Sequence, residues 1–251
     1  MSRFDGRVVF VTGAGGGMGT AISARFAAEG AQVVVADVNE AGANDTVAQI
    51  TGNGGQAIPS VFDLTDAEAC QAAVGEVSSR FGRIDVLVNN AGINRRGPLL
   101  ELSEDDWRAT FAVNLDSMFH MCRAVLPMMI DQGGGAIVNT ASQWGLHPAP
   151  GHIAYNTSKA AVAMFTQCLA RDYASSGVRV NGIAPGEVRT PMLESNLART
   201  GRSLDDLNAL VPFGRIGEPE EIAALVAFLA SDEAAYLCGS VVEITGAQAV
   251  S

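Results

Sequence analysis

Two side chains capable of proton chemistry, Tyr155 and Lys159, lie four residues apart in this sequence, thirteen residues after Ser142. Residues at i and i+4 share one face of a helix, so the phenol and the ammonium group can reach the same site. A free phenol titrates near ~10, and a neighbouring cation lowers that pKa. The pair is therefore predicted to be a proton donor and acceptor. Alone, it would more often be a surface tyrosine beside a solvated lysine.

A glycine-rich turn earlier in the chain gives this pair its context. Gly13, Gly17 and Gly19 follow the apolar run Val8-Val9-Phe10-Val11 and open an amphipathic segment. Without side chains, the backbone of such a turn can approach a pyrophosphate, whose charge meets the N–H groups at the start of a helix. The turn predicts a dinucleotide site. Proton chemistry beside a dinucleotide is what carbonyl reduction or alcohol oxidation requires.

Asp37 indicates which dinucleotide is bound. It ends the second apolar run, about 20 residues after the glycines, where a carboxylate binds the adenosine ribose hydroxyls and repels a 2′-phosphate. Neither 14–16 nor 38–40 contains an Arg or Lys that would hold that phosphate. NAD(H) is therefore expected rather than NADP(H). Asp37 could in addition be a helix N-cap.

Apolar runs alternate with amphipathic stretches along the whole chain. The runs are rich in Val and Ile with little polar alternation, which is typical of strands buried on both faces of a parallel sheet. Strands are predicted at 7–12, 32–37, 56–62, 84–89, 135–141, 178–184 and 240–244, and helices near 18–29, 40–51, 66–81, 104–131, 153–175 and 218–230. The alternation predicts an α/β fold: one doubly wound Rossmann-type parallel sheet of about seven strands with helices on both faces, for which the strand order 3-2-1-4-5-6-7 is expected.

No linker, repeat or low-complexity tract interrupts the sequence, so residues 1–251 are expected to form one domain. Residues 185–217 are the least regular part, with three prolines and one or two short helices expected around 191–210. An irregular insertion at the carboxyl end of a strand is a candidate for a mobile lid over a substrate. The turn Asn89-Asn90-Ala91-Gly92 ends the fourth strand, beside the first strand at the switch point where ligands bind in such sheets.

Composition excludes several classes of function. The chain has 251 residues, 48% of them apolar, a net charge of −11 and no Lys/Arg-rich run, so nucleic acid and anionic membranes are unlikely partners. The amino terminus lacks the apolar segment of a signal peptide, and no run of 18 apolar residues is present, so a cytoplasmic location is expected. The four cysteines are dispersed, and buried free thiols are expected rather than disulfides or metal ligands.

Taken together, these motifs resemble the short-chain dehydrogenase/reductase family in its NAD-type form. The resemblance covers essentially the whole chain. It rests on Thr12-Gly13-Ala14-Gly15-Gly16-Gly17-Met18-Gly19, Asp63, Asn89-Asn90-Ala91-Gly92, Asn114, Ser142, Tyr155-Asn156-Thr157-Ser158-Lys159, Pro185-Gly186 and Thr190-Pro191-Met192. One departure is Thr245-Gly246-Ala247, which stands where many members carry Asp-Gly-Gly. The resemblance therefore does not indicate which contacts the tail makes with substrate or with neighbouring subunits.

The resemblance implies a role for each matching residue. Tyr155 would exchange a proton with the substrate, and Ser142 would hydrogen-bond the reacting oxygen. Lys159 would hold the nicotinamide ribose and lower the phenol pKa, and Asn114 would support a water-linked proton relay. Residues implied to contact NAD are Thr12, Gly13, Gly17, Met18, Gly19, Asp37, Asp63, Leu64, Asn90, Ala91, Gly92, Tyr155, Lys159, Pro185, Gly186, Ile183 or Val188, and Thr190.

Substrate residues are expected in the loops around the mouth of the site. Arg95 and Arg96 directly follow the Asn89–Gly92 turn, and the run from 90 to 96 is similar to that of family members acting on gluconate-type sugar acids. A guanidinium suits a carboxylate, although these arginines could instead be solvated or lie at a subunit interface. Further candidates are Gln143, Trp144, His147, His152, Glu187 and Arg189. The two histidines lack metal spacing, so no metal site is predicted.

Three functions remain open at this point. The first is an NAD-dependent oxidoreductase acting on a sugar, sugar acid or polyol; the second is a 3-oxoacyl-carrier-protein reductase, which Asp37 disfavours. The third is a nucleotide-sensing protein without chemistry. The resemblance also implies a homotetramer, formed through the wide apolar surfaces of the 104–131 and 153–175 helices, although those surfaces could be wholly internal.

Overall fold

A computed structural model describes residues 2–191, 193, 194, 197 and 201–248. Its centre is a seven-stranded parallel sheet in the order β3-β2-β1-β4-β5-β6-β7, which confirms the predicted topology. The strands are β1 Val8–Thr12, β2 Gln32–Asp37, β3 Gln56–Val61, β4 Val86–Asn89, β5 Gly135–Thr140, β6 Val178–Pro185 and β7 Val241–Ile244. Chain order reverses direction between β1 and β4, so the carboxyl ends of these two strands border one crevice.

Helices cover both faces of the sheet. They are α1 Gly17–Ala28, α2 Glu40–Gly52, α3 Ala67–Phe81, α4 Glu104–Phe111, α5 Ser117–Asp131, α6 Gln143–Leu146, α7 Ile153–Tyr173, α8 Leu204–Asn208 and α9 Pro219–Ala230. Alternate residues of β1 point to opposite sides: Val8 and Phe10 pack with α3, α5 and α7, whereas Val9 and Val11 pack with α1, α2 and α9. Burial on both faces explains the continuous apolar character of the strands.

The helix predicted over 104–131 is present and contains one π-helical turn. A π-helical turn, Ala112–Asp116, separates α4 from α5, and Asn114 lies buried within it. The sequence pattern did not predict this turn. Single π turns inside α-helices are frequently found at functional sites.

Residues 185–217 connect the end of β6 to the start of α9. Val188 and Gly217 form a parallel bridge at the base of this segment, where Arg189 N donates to Gly217 O at 2.8 Å. Beyond that bridge, α8 is capped by Ser203 and contributes Leu207 to a small apolar cluster of its own, with Leu197, Val211 and Ile216. Met192 lies outside the described residues. The separate cluster is consistent with a segment that packs apart from the main core, and the function as a lid stays a prediction.

The four cysteines are free, as expected, but they are not all buried. Cys70 and Cys122 lie in the core, whereas Cys168 and Cys238 are exposed, so the expectation of buried thiols was wrong for these two. Cys168 lies on the face of α7 that points away from the sheet. Among the described residues, no helix is both long and apolar enough to cross a lipid bilayer.

Candidate active site

The turns after β1 and β4 are joined directly. Asn90 Nδ2 donates to the carbonyl oxygens of Thr12 and Gly13 at 3.1 and 3.0 Å, and Asn90 N donates to Thr12 Oγ1 at 3.1 Å. Gly13 has a φ of +61°, and a Cβ there would lie 2.7 Å from Ala91 Cα. Only glycine permits this approach. The Asn90–Gly92 turn and the glycine turn therefore face the same crevice, as the strand order predicted.

That crevice is a cavity of about 780 Å³. Most of the residues predicted to contact a dinucleotide line it: Gly13, Gly17, Met18, Asp37, Asp63, Leu64, Asn90, Ala91, Gly92, Tyr155, Lys159, Pro185, Gly186, Val188 and Thr190. Thr12, Gly19 and Ile183 are not in the lining. Thr12 is buried behind it as the acceptor for Asn90, and a Cβ on Gly19 would collide with the carbonyl of Gly13. These residues shape the turn rather than form the surface of the cavity.

Asp37 ties the end of β2 to the glycine turn. Its Oδ2 accepts from Gly15 N at 2.8 Å, and its Oδ1 accepts from Asn39 N at 2.9 Å. The N-cap of α2 is Asn39, whose side chain accepts from Gly42 N, so the expectation that Asp37 caps this helix was wrong. Asp37 instead lines the cavity at the end where Asp63 and Leu64 also lie. Two hydrogen bonds from Thr65, backbone and side chain, hold the pKa of Asp63 below its ordinary value.

Tyr155 and Lys159 occupy the first turns of α7, one turn apart, at the opposite end of the cavity. Lys159 is buried, and its Nζ donates to the backbone oxygen of Thr140 at 2.7 Å, close to the end of β5. Burial lowers the pKa of Lys159 to about 8. Its ammonium lies 5.8 Å from the centroid of the Tyr155 ring. A Cβ on Gly145 of α6 would collide with the backbone of Lys159, so α6 can pack against α7 only with glycine there.

Ser142 is brought to the Tyr155 phenol. It caps α6 through a bond from Trp144 N to its Oγ, and the same hydroxyl hydrogen-bonds to Tyr155. Burial raises the pKa of Tyr155, the Ser142 hydrogen bond lowers it, and the Glu187 carboxylate raises it further. The pKa therefore lies above its ordinary value, contrary to the expected lowering by Lys159. Desolvation of the phenol outweighs the stabilisation of its phenolate.

Asn114 does not line the cavity. Its Oδ1 accepts from Ile93 N at 2.8 Å, and its Nδ2 donates to Ile93 O at 3.0 Å and to Ser158 Oγ at 2.9 Å. Ser158 in turn donates to Tyr155 O at 2.8 Å. The side chain thus joins the turn after β4 to the first turn of α7. Its part in a water-linked relay stays a prediction.

Seven of the eight predicted substrate residues separate into two groups, and the eighth, His152, lies beside Trp144. Arg96, Gln143, Trp144 and Glu187 line the cavity, and the Trp144 ring lies between His152 and Tyr155, with centroids 4.5 and 6.0 Å away. Three others lie outside the lining, paired with acidic residues: Arg95 with Asp106 at 3.5 Å, Arg189 with Glu194 at 3.2 Å and His147 with Glu243 at 3.5 Å. Of the two arginines considered for an anionic group, only Arg96 faces the cavity. No group of His, Cys, Asp and Glu among the described residues has the arrangement of a metal site.

Two residues near the site were missed from the sequence. Gln248 Oε1 accepts from Gln143 Nε2 at 3.0 Å and from Glu187 N at 3.4 Å. Asn94 Oδ1 lies 3.1 Å from His152 Nδ1. No local pattern marks Gln248, because it reaches the site only through the return of the tail after β7. Asn94 carried a signal, since it belongs to the loop that includes Arg95 and Arg96.

Comparisons with known proteins agree with this geometry. The family model described as short chain dehydrogenase matches residues 7–200. The chain is 44% identical to D-threitol dehydrogenase of Mycolicibacterium smegmatis and 41% identical to 3-oxoacyl-(acyl-carrier-protein) reductase of Thermotoga maritima. Each comparison covers 97% of this chain, and 93% and 98% of the two relatives.

A solved structure of similar fold extends the comparison. It is a putative short-chain dehydrogenase/reductase from Burkholderia xenovorans, which superposes with a TM-score of 0.95 at 36% identity, over 99% of this chain and 98% of the other. The similarity thus includes the glycine turn, the Tyr155–Lys159 helix and the tail. The chain belongs to the short-chain dehydrogenase/reductase family of oxidoreductases.

Proposed function

We propose that this protein is an NAD-dependent oxidoreductase that interconverts an alcohol and a carbonyl group on a small polyhydroxylated substrate, with Tyr155 as the acid and base. The observation that carries the proposal is the placement of the Ser142–Tyr155 pair in the same cavity as the glycine turn. A dinucleotide in that cavity and a proton donor at its end are the two requirements of the reaction.

The residues present suit a nicotinamide dinucleotide. The glycine turn has no side chains toward the cavity at Gly15, Gly16 and Gly17, beside the start of α1. Among the described residues, the buried oxygens Asn90 Oδ1 and Thr140 Oγ1 have no hydrogen-bond partner, and both residues line the cavity. Buried polar atoms are rarely left unpaired, so these oxygens are suited to a bound ligand. When bound, the cofactor supplies the hydride chemistry that the side chains lack.

Each residue at the catalytic end then has a defined task. The phenolic oxygen of Tyr155 takes the alcohol proton during oxidation and returns it during reduction. Ser142, already hydrogen-bonded to that phenol, orients it and is placed to donate to the substrate oxygen. Lys159, held by Thr140 O, provides a cation within 6 Å of the phenol ring and would hold the ribose. Trp144 forms one wall and limits access of water to the proton-transfer atoms.

Charge at the other end of the cavity favours NAD over NADP. The described lining residues around the adenosine end include Asp37, Val38 and Asn39, and none of those from Gly15 to Thr65 is a Lys or Arg. The lining cations, Arg96 and Lys159, are at the catalytic end. A 2′-phosphate beside the Asp37 carboxylate would be repelled without a compensating cation.

A polyhydroxylated substrate suits the polar mouth. Arg96, Gln143 and Glu187 offer charged and amide groups beside Tyr155, which hydroxyl groups can satisfy. Two relatives at 39–44% identity have names that specify small diols or polyols, D-threitol and meso-2,3-butanediol. Another relative, 41% identical, is named as a 3-oxoacyl-(acyl-carrier-protein) reductase. Reduction of a carrier-protein thioester is therefore included as an outcome of the test.

An activity assay with two cofactors and two substrate classes tests the proposal. Purified protein would be offered NAD⁺ or NADP⁺ with a panel of polyols, sugars and sugar acids, and NADH or NADPH with an acetoacetyl thioester. We expect NAD-linked oxidation of polyols. Tyr155→Phe should lower turnover by about 10²–10⁴ while NADH binding, followed by fluorescence, is retained.

Tyr236→Phe is the matched control, because Tyr236 is fully exposed and distant in sequence from the site. Unchanged turnover in Tyr155→Phe would remove the phenol from the mechanism. Turnover of the thioester alone, with NADPH, would support the carrier-protein reductase instead. Tight NADH binding without turnover of any compound would support a nucleotide-sensing protein.

A further inference from the structure

A second cavity of about 390 Å³ adjoins the one that contains Tyr155. The two cavities share Arg96, Trp144, Glu187 and Leu193 among their described lining residues. The second is further lined by His152, Leu197, Arg202 and Leu207. A substrate whose reacting carbon lies at Tyr155 would therefore extend its other end past Arg96 and Glu187.

The charged groups that line both cavities come from different segments of the chain. Arg96 comes from the loop after β4, and Glu187 follows β6 at the base of the 185–217 segment. Burial raises the pKa of Glu187, and the positive charge of Arg96 lowers it, so the two side chains interact across the opening. The Arg202 guanidinium in turn acts on Asp206, whose pKa is lowered first by hydrogen bonds from Ser203 and then by Arg202. Each of these two arginines thus has an acidic group near it.

His152 adds an uncharged acceptor to the same wall. It is buried, and its Nδ1 lies 3.1 Å from Asn94 Oδ1, an atom that can only accept. Nδ1 therefore carries the proton. Burial, together with the charge of Arg96, lowers the pKa of His152 to about 4, so the ring is neutral at pH 7. Nε2 is then an acceptor without a proton.

We propose that Arg96, Glu187 and His152 bind the distal hydroxyl groups of an uncharged polyol, so that the protein selects a polyol over the sugar acid of the same length. This inference rests on the proposed function and narrows its substrate class. It replaces the sequence-based expectation of an anionic group at Arg95 or Arg96, because Arg95 is directed to Asp106 and Arg96 lies opposite Glu187.

The chemistry of the three groups supports a diol. A carboxylate and a neutral imidazole nitrogen accept hydrogen bonds from substrate hydroxyls, and a guanidinium donates to the hydroxyl oxygens. Each distal hydroxyl can therefore both donate and accept a hydrogen bond. A substrate carboxylate would be repelled by Glu187 and would compete with it for Arg96. A substrate without distal hydroxyls could not donate to the Glu187 carboxylate or to His152 Nε2, and a site built to hydrogen-bond hydroxyls discriminates strongly against such a substrate.

Three substrates of four carbons separate the contributions: D-threitol with distal hydroxyls, 2,3-butanediol without them, and D-threonate with a carboxylate. Initial rates with NAD⁺ would be measured for wild type, Arg96→Met and Glu187→Gln, each at its own optimum pH. Arg95→Met is the matched control, since Arg95 is the neighbouring arginine and lies outside both cavity linings.

For D-threitol, we expect Arg96→Met and Glu187→Gln to raise KM by about tenfold to a hundredfold, the loss of one charge-assisted hydrogen bond. The KM for 2,3-butanediol should change less than about twofold. Wild type should prefer threitol to threonate, and Glu187→Gln should reduce that preference. Arg95→Met should behave as wild type.

Equal effects of Arg96→Met on threitol and butanediol would overturn the inference, as would a preference for threonate that Arg96→Met abolishes. In both cases alcohol oxidation itself would remain, so the proposed function would stand. Failure of wild type to oxidise these three and every other compound of the wider panel, while still binding NADH, would instead overturn both.

Discussion

Gln143 and Gln248 are joined side chain to side chain at 3.0 Å, although 105 positions separate them in the chain. Gln143 directly follows Ser142 and is 2% exposed, and Gln248 also accepts from Glu187 N. The tail after β7 thereby contacts the start of α6 and the segment after β6, which both line the cavity that contains Tyr155. This is the region where the sequence departs from the family pattern, at Thr245-Gly246-Ala247.

We expect Gln248→Ala to lower kcat/KM about fivefold, which corresponds to one hydrogen bond of about 1 kcal/mol that positions Gln143. Because the interaction orients the substrate end, KM for a polyol should account for most of the change and NADH affinity for little. Gln71→Ala, an exposed glutamine on α3, is the control. A variant equal to wild type in all three quantities would show that the contact has no role in the site.

Substitution of Glu187 and substitution of Ser142 should shift the pH profile of alcohol oxidation in opposite directions. The Glu187 carboxylate raises the pKa of Tyr155 and the Ser142 hydrogen bond lowers it, while burial sets the overall elevation. Oxidation needs the phenolate, so its rate rises with pH through the Tyr155 pKa. Glu187→Gln should therefore move the rising limb of kcat/KM to lower pH, and Ser142→Ala should move it to higher pH.

The pH profiles of the two variants, measured with one substrate and saturating NAD⁺, check this sign. Ser142→Ala should also lose turnover, since the hydroxyl contacts the phenol. For this variant the pH at which kcat/KM rises is therefore compared, and not the maximum value of kcat/KM. Shifts in the same direction, or none, would mean that other groups control the pKa of Tyr155.

Lys159 is the only lysine in the sequence, which makes its titration directly measurable. In protein labelled with ¹³C-lysine, we expect one side-chain signal that titrates at about 8, against an ordinary value of 10.5, because burial disfavours the ammonium. In urea the midpoint should return to the ordinary value. A folded-state midpoint at or above 10.5 would contradict the burial effect.

The same shift makes stability depend on pH. Since the folded pKa is lowered, the unfolded chain holds the proton that the folded chain loses between pH 8 and 10.5, so the free energy of unfolding contributed by Lys159 rises with pH. Between pH 7 and 9 wild type should gain about 1 kcal/mol relative to Lys159→Met. Thermal midpoints of both proteins, at one protein concentration, test this difference.

Asp37 should determine the choice of cofactor. Asp37→Ala should lower the preference for NAD⁺ over NADP⁺ by about tenfold or more, since it removes a charge-assisted acceptor for the ribose and the repulsion of a 2′-phosphate. Asp37→Asn keeps an oxygen for Gly15 N and Asn39 N but removes the charge, so it separates electrostatics from the local turn. Asp45→Ala, exposed on α2, is the control. Unchanged ratios of kcat/KM for the two cofactors would refute the assignment.

We propose that the chain assembles as a homotetramer through α4, α5 and α7. Trp107, Phe119 and Met164 on these helices are 36%, 45% and 59% exposed, although the sheet-facing side of α7 is buried. Exposed large apolar side chains on neighbouring helices are typical of subunit interfaces. Light scattering at micromolar concentration should give about four times the chain mass of 26.0 kDa.

Phe119→Asp should lower that mass, whereas Val61→Asp, at the far edge of the sheet in β3, should not. A monomeric wild-type protein would overturn the proposed assembly. Loss of assembly in both variants would place the interface elsewhere or indicate general destabilisation.

The sequence by itself determined the sheet and the crevice. Continuous apolar runs are typical of interior parallel strands, and glycines directly after the first of them mark the point where backbone approaches backbone or ligand. The residues around the crevice follow from that local chemistry, whereas the strand order was expected from the doubly wound fold that the alternation indicates. The i, i+4 spacing likewise placed Tyr155 and Lys159 on one helix face without knowledge of the fold.

Tertiary structure decided what depends on contacts between distant segments. The π turn at Asn114 was not predicted from the sequence. The raised pKa of Tyr155 follows from burial, which no local spacing reveals. Arg95 and Arg96 are adjacent and chemically identical, yet one is directed to Asp106 and the other lies opposite Glu187. The position of α4, which contains Asp106, and that of the 185–217 segment, which contains Glu187, distinguish them.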